Sequence, residues 1–152
     1  MIRIALVAGD SMAPTYRSSD LLLTRSVGRA YGVLSRGAVV VFRRGGLRMV
    51  KRAVGLPGDT VELEAGRLFV NGESIDGRRR LRGAHTQTWV VPQANYFMVG
   101  DNPAVSDDSR VWARPFVAAE SVDATVTRRL VGLGPFGGFI PRRRSAAAGR
   151  AV

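Results

Sequence analysis

Apolar residues along this chain fall in short runs of four to eight positions, divided by glycine, proline or charge, which is the pattern of strands rather than helices. Residues 3–8 read as a first strand that delivers the chain to Gly9-Asp10-Ser11-Met12-Ala13-Pro14. A second strand at 21–24 follows the turn signal Ser18-Ser19-Asp20. Residues 38–43 and 47–54 read as neighbouring strands joined through Gly45-Gly46, a hairpin signal. Gly55-Leu56-Pro57-Gly58-Asp59 marks a sharp turn into a strand at 60–63, and 67–70 alternates up to Asn71-Gly72, another hairpin signal. Residues 73–93 are more polar and rich in arginine, with Trp89, Val90 and Val91 as the apolar anchors, and read as an excursion from the main unit. Strands are expected again at 96–99 and 122–130, with a polar-to-apolar switch at 109–112. A short helix around 117–122 is the one helical element the pattern allows.

The expected fold is therefore mostly β, a partly closed β-sheet with a small excursion subdomain. Residues 1–141 form one catalytic-sized unit, and the Ala-, Gly- and Arg-rich tail 142–152 is expected to be basic and mobile. The chain has 152 residues, of which 45% are apolar, in line with one globular domain and one core.

Charge and composition narrow the chemistry. Cysteine is absent, which removes disulfides, zinc–thiolate sites and cysteine nucleophiles, and says nothing about compartment. The formal charge of +11 admits three readings: an arginine-preferring background, attraction to anionic lipid headgroups, and nucleic-acid binding. No zinc-finger, helix-turn-helix or aromatic RNA-binding pattern accompanies the basic residues, so no nucleic-acid partner is expected. Of 23 Lys and Arg residues, Lys51 is the single lysine. Arginine stays protonated in proteins, whereas a buried lysine is readily neutralised and then serves as a base. No apolar run reaches the roughly 20 residues needed to cross a bilayer. The run 4–8 is too short for a signal-peptide core, and 130–141 is interrupted by glycine and proline.

Three segments carry candidate chemistry. Ser11 follows a strand and precedes Pro14, which stiffens the turn after it, while Gly9 permits close approach of another backbone, such as a bound peptide. A serine hydroxyl is a weak nucleophile until a neighbour takes its proton. The one histidine, His85, lies in the polar excursion without an orienting carboxylate nearby in sequence and reads as a surface residue. That leaves Lys51 as the base of an amine-assisted serine. Alternation puts Met49, Lys51 and Ala53 on one sheet face, where apolar packing would depress the lysine pKa toward the working pH. The third segment, Gly100-Asp101-Asn102-Pro103-Ala104-Val105-Ser106-Asp107-Asp108-Ser109-Arg110, is a dense polar loop between apolar strands. Its acids admit a metal-loop reading, but the spacing, central glycine and terminal glutamate of an EF-hand are missing. Pairing of Arg110 with an aspartate explains the loop better, and no metal is expected.

At these residues the sequence resembles the type I signal peptidase family, the bacterial leader peptidases and their processing-protease relatives. The matching stretches are Gly9 to Thr15, Lys51-Arg52-Ala53-Val54-Gly55-Leu56-Pro57-Gly58-Asp59 and Gly100 to Arg110, supported by Leu68-Phe69-Val70-Asn71-Gly72, Val91-Pro92 and Tyr96-Phe97-Met98-Val99. They run in the family's order over roughly residues 7–130. The resemblance implies the fold shared by signal peptidases and self-cleaving repressors, with Ser11 as nucleophile, Lys51 as general base and Ser106 as the hydroxyl that orients the lysine amine. It further implies that the Ser11 backbone N–H is part of the oxyanion hole and that Met12 and Gly9 line the substrate pocket. Arg52, Asp101, Asp108 and Arg110 resemble the salt-bridge set that braces the catalytic sheet. Some members place a hydroxyl two residues before the nucleophile as a second oxyanion donor; this chain has Gly9 there.

The implied reaction is cofactor-free cleavage of a signal peptide or related precursor segment after small residues, Ala-X-Ala-like, through an acyl-enzyme. The implied partners are a precursor protein with an extended cleavable segment and a membrane surface or membrane partner, on the extracytoplasmic side of the plasma membrane. The resemblance departs at the N-terminus, where ten residues precede Ser11 and the usual transmembrane anchor is lacking. Three alternatives share parts of this pattern: a maturation protease dedicated to one precursor, a self-cleaving repressor-type Ser–Lys protease, and a non-catalytic basic β module.

Overall fold

The computed structural model describes residues 1–28, 34–80 and 86–130 together with the backbone of 150–151. His85, the apolar stretch after Leu130 and the tail apart from 150–151 lie outside the described residues. Twelve strands follow in chain order: β1 Ile2–Val7, β2 Leu21–Ser26, β3 Val39–Arg44, β4 Leu47–Gly55, β5 Thr60–Glu64, β6 Arg67–Val70, β7 Glu73–Ser74, β8 Thr86–Val90, β9 Asn95–Val99, β10 Phe116–Ala118, β11 Val122–Leu130 and β12 Arg150–Ala151. The fold is mostly β, as the strand-length apolar runs require. The helix expected around 117–122 is reduced to a single 3₁₀ turn, Ala119–Ser121, because strand β10 takes Phe116–Ala118 against β9 and β11 begins at Val122. The switch at 109–112 does not become a strand; it turns back on Asp108, whose carbonyl accepts the N–H of Val111 and of Trp112.

Eight strands form the main sheet in the order β10-β9-β4-β12-β1-β2-β11-β3, and an additional β3–β4 pairing curls it back on itself. The other four form a small sheet, β7-β6-β5-β8, in which the two strands of the polar excursion flank β5 and β6. The Gly45-Gly46 turn closes the β3–β4 hairpin with both glycines at positive φ, +55° and +80°, a conformation that side chains with a Cβ rarely adopt.

Burial on both faces explains the unbroken run Val39-Val40-Val41-Phe42 in β3. Val39 and Val41 face a cluster with Ala5, Val7, Met12, Leu22 and Val50, with Val126 of β11 packed against it, so this cluster fills the inside of the curl. Val40 and Phe42 face the opposite way, into a cluster with Met49, Ala53, Tyr96, Met98 and Val117. A third cluster of Val54, Val61, Leu68, Val70, Val91, Phe97 and Val99 joins the small sheet to β4 and β9. Gly55, at the end of β4, sits between these layers: a Cβ there would lie 2.7 Å from Phe97 Cβ and 2.8 Å from Val61 Cγ2.

Candidate active site

The seam between β1 and β4 gathers the three segments singled out above. Beyond β1 the chain passes through Ala8 and Gly9, the latter at φ +83°, into a compact turn. There the Ala13 N–H donates to Asp10 O at 3.0 Å and the Tyr16 N–H to Met12 O at 2.9 Å. Met12 is 1% exposed and packs inside the curl, so it anchors the serine turn from below. Met12 is not among the residues that line the cleft beside Ser11. Gly9 is, and a Cβ added there would meet nothing within 4 Å.

Lys51 sits in β4 opposite Val40, in the same alternate set as Met49 and Ala53. Its side chain is 1% exposed, and its Nζ donates to Ser11 Oγ at 2.6 Å. Among the described residues no carboxylate stands within 4.0 Å of it. Burial holds the Lys51 pKa below the ordinary lysine value; the charges of Asp108 and Asp107 oppose this, and Arg110 adds to it. A cleft of about 310 Å³ opens beside the pair, lined by Ala8, Gly9, Asp10, Leu47, Met49, Val105 and Asp107 as well as Ser11 and Lys51.

The 100–110 loop holds both partners. Asp108 is fully buried, and its Oδ2 accepts from the Gly100 N–H at 2.8 Å, Arg110 Nη2 at 2.5 Å and Ser106 Oγ at 2.5 Å. Burial works to raise the Asp108 pKa, but Arg110, Ser106 and the Gly100 N–H outweigh it, leaving the carboxyl below its ordinary value. The Ser106 hydroxyl donates to Asp108, and among the described residues no hydrogen bond joins it to Lys51. An ionised, desolvated carboxylate is a strong acceptor, which fixes the direction of the Ser106 hydroxyl.

Arg52 and Asp101 form a two-pronged pair, Nε to Oδ1 at 2.8 Å and Nη2 to Oδ2 at 2.6 Å, and a further Arg52 nitrogen donates to Gly37 O at 2.7 Å. Asp101 Oδ2 also accepts from Thr15 Oγ1 at 2.6 Å, tying β4 to the serine turn. Burial favours a raised Asp101 pKa, yet Arg52 and Thr15 prevail and hold it below the ordinary value.

Several contributors were not legible as such beforehand. The Asn102 N–H donates to Ser11 O at 2.9 Å and its Nδ2 to Asp10 O at 3.2 Å, so the residue considered as a metal ligand clamps the serine turn instead. Ser109 is fully buried and its Oγ accepts from the Met98 N–H at 2.8 Å, which fixes the loop to β9. Gly100 lies where Ser11 and Ser106 converge: a Cβ would stand 2.5 Å from Ser11 O and 2.1 Å from Ser106 Oγ. The one signal for these was density, since short polar side chains packed between apolar strands must find partners in one another. Asp107 accepts from Trp112 Nε1 at 2.9 Å, so the loop acids are separately engaged, and no cluster able to hold a metal ion occurs among the described residues.

The arrangement supplies a serine hydroxyl, a desolvated amine in contact with it, and a hydrogen-bonded frame around both. Residues 1–131 match the family model described as signal peptidase, peptidase S26. The chain is 35% identical over 118 residues to signal peptidase I S of Bacillus subtilis (strain 168), covering 69% of this chain and 64% of that protein. It is 32% identical over 127 residues to signal peptidase IB of Staphylococcus aureus (strain COL), covering 70% and 66%. The crystal structure of a signal peptidase I from Enterococcus faecalis V583 superposes with a TM-score of 0.51 at 32% identity, over 63% of this chain and 98% of that one. The chain thus spans about two thirds of the length of the two curated relatives. On this sequence and fold evidence, the chain belongs to the signal peptidase family, peptidase S26.

Proposed function

We propose that this chain is a serine endopeptidase working through a Ser11–Lys51 dyad, and that it cleaves signal peptides or related precursor segments after small residues. The observation that carries the reading is the 2.6 Å contact between Ser11 Oγ and a lysine amine that is almost fully removed from water. A buried lysine without a carboxylate partner is costly, and it is retained where its neutral form does work.

Neutral Lys51 accepts the Ser11 proton as the Ser11 oxygen attacks the scissile carbonyl, forming a tetrahedral oxyanion. The Ser11 backbone N–H, which has no acceptor among the described residues, is the donor in reach of that oxyanion. The lysinium then gives its proton to the leaving amine, and the acyl group remains on Ser11 as an ester. Water, deprotonated by Lys51, hydrolyses the ester and restores both groups. Proton transfer in each step runs through Lys51, with Asp101–Arg52 and Asp108–Arg110 bracing the serine turn, β4 and the 100–110 loop.

A precursor entering this cleft would lie extended along β1, pairing with strand edges as an added strand. A membrane surface is the proposed setting. Ile2, Ile4 and Leu6 of β1 are exposed, alternate with the buried Ala5 and Val7, and lie beside the exposed Leu21, which is the cross-strand partner of Leu6. Leu47, also exposed, carries this apolar face to the rim of the cleft. Contiguous exposed apolar positions of this kind suit a lipid or protein partner rather than bulk water. No helix of the described residues is long and apolar enough to cross a membrane.

The test is to map the cut. A vesicle-bound precursor with an Ala-X-Ala junction is incubated with the protein and the products are weighed by mass spectrometry. Cleavage directly after the second alanine, abolished by leucine at that position, is expected. Cutting elsewhere, or indifference to the leucine, would remove the specificity proposed here.

A further inference from the structure

The strand β12 lies in the seam between β1, which leads to Ser11, and β4, which carries Lys51. It runs parallel to both neighbours: Arg150 pairs with Leu6 and Ala151 with Val7, while Ala151 also pairs with Arg48. The other edge of β1 is taken by β2 and the other edge of β4 by β3, so β12 fills the gap in an otherwise continuous curl. The Val7 N–H donates to Asp20 O and its carbonyl accepts from Ser19, both at 2.9 Å. The alternation of an extended strand therefore turns the backbone groups of Leu6 and Ala8 to the opposite edge, toward β12.

Direction matters as much as position. A peptide whose carbonyl is attacked by Ser11 must lie with the residues preceding the cut back along β1, its chain advancing toward the serine. Arg150 to Ala151 advances in that direction beside Leu6 and Val7. In sequence Arg150 stands between Gly149 and Ala151, the small–X–small pattern that the proposed specificity asks of a substrate.

We propose that the 150–151 segment is a built-in occupant of the part of the peptide slot beside Leu6 and Val7, so that a precursor must displace it. What the segment inhibits rests on the Ser–Lys peptidase reading; that it fills the slot does not. A segment of the same chain competes as an intramolecular ligand, so even a two-residue contact reduces the binding of substrate. The apparent affinity for a peptide falls by the fraction of chains whose slot is open.

The experiment compares the full chain with a chain ending at Arg144 and with a full-length Arg150→Pro, Ala151→Pro variant, which removes two ladder N–H donors while keeping the rest. Two readouts are taken: KM and kcat on an Ala-X-Ala precursor peptide, and backbone amide exchange at Leu6 and Ala8. Both variants should show KM lowered about three- to tenfold with kcat unchanged, and faster exchange at the two amides. A synthetic peptide of residues 145–152 added to the shortened chain should raise KM again competitively. KM and exchange unchanged in both variants would overturn the proposal. If exchange accelerates but no form of the chain cleaves any precursor, the slot occupancy stands and the peptidase reading falls.

Discussion

Replacing Gly100 by alanine separates positioning of the nucleophile from stability of the fold. The new Cβ would stand 2.5 Å from Ser11 O, 2.1 Å from Ser106 Oγ and 2.7 Å from Ser106 Cβ. The Ser106 hydroxyl can rotate away, but the Ser11 carbonyl is backbone and is also held by the Asn102 N–H at 2.9 Å. Restoring an ordinary contact of about 3.4 Å moves that carbonyl by about 0.9 Å. A shift of that size carries Ser11 Oγ from 2.6 Å toward the limit of hydrogen bonding with Lys51. Misplacement by about 1 Å at a reacting centre costs on the order of 10²-fold in rate. Overpacking costs about 1–3 kcal/mol, which lowers Tm by roughly 2–4 °C per kcal/mol in a domain of this size. Gly55→Ala is the matched control, because its Cβ would crowd Phe97, Val61 and Val91 in the third core cluster, away from the serine turn. Turnover on an Ala-X-Ala peptide is measured beside thermal unfolding for both. Gly100→Ala is expected to lose about 10² in kcat, and Gly55→Ala only what its unfolded fraction explains. Equal turnover of the two variants at matched folded fraction would refute the claim that the loop positions Ser11.

Three further outcomes follow from the buried charges. Lys51→Met should raise Tm, because the folded-state pKa of Lys51 is depressed: its penalty is full at pH below that folded value and fades as pH rises to the ordinary lysine pKa. A variant no more stable than wild type near neutral pH, or a gain that grows toward alkaline pH, would contradict this. Asp101→Asn should cost about 1–3 kcal/mol in urea unfolding, since Arg52 and Thr15 lose their acceptor. That contribution is present above the unfolded aspartate pKa and is lost as pH falls through the lower folded value, so the gap between wild type and variant should close in acid. Ser106→Ala removes one of the donors to Asp108 Oδ2, leaving the charge of that carboxylate less compensated beside Lys51. The pH–rate profile should move to higher pH with reduced turnover, and an unmoved profile would limit Ser106 to a structural role.

The strands were legible because period-two alternation reports burial directly: Met49, Lys51 and Ala53 share a face by spacing alone, and the Gly45-Gly46 hairpin announced itself. The small sheet was harder to see. In β8, Thr86-Gln87-Thr88-Trp89-Val90, Val90 is exposed and only Trp89 brings apolar area to the core, packing on Phe97 with ring centroids 5.0 Å apart. A strand at the edge of a half-exposed sheet carries little hydrophobic signal. The pairing of Ser11 with Lys51 was read by elimination of other bases and supported by the family resemblance, since no local pattern brings residues forty positions apart together. The side-chain directions of Ser106 and Met12 were not legible, for a common reason. Both lie in non-periodic turns, where the direction of a side chain depends on backbone bends fixed by long-range partners, Asp108 for one and the interior of the curl for the other.

The central claim is that Ser11 forms the acyl-enzyme with Lys51 as its base. The most direct measurement is single-turnover cleavage of a vesicle-bound Ala-X-Ala precursor by wild type, Ser11→Ala and Lys51→Met, with each variant shown to be folded by thermal unfolding. Cleavage by wild type, with an acid-quenched ester on the peptide that contains Ser11, and none by either variant is the predicted result. Cleavage that survives in a folded Ser11→Ala or Lys51→Met protein would contradict the account.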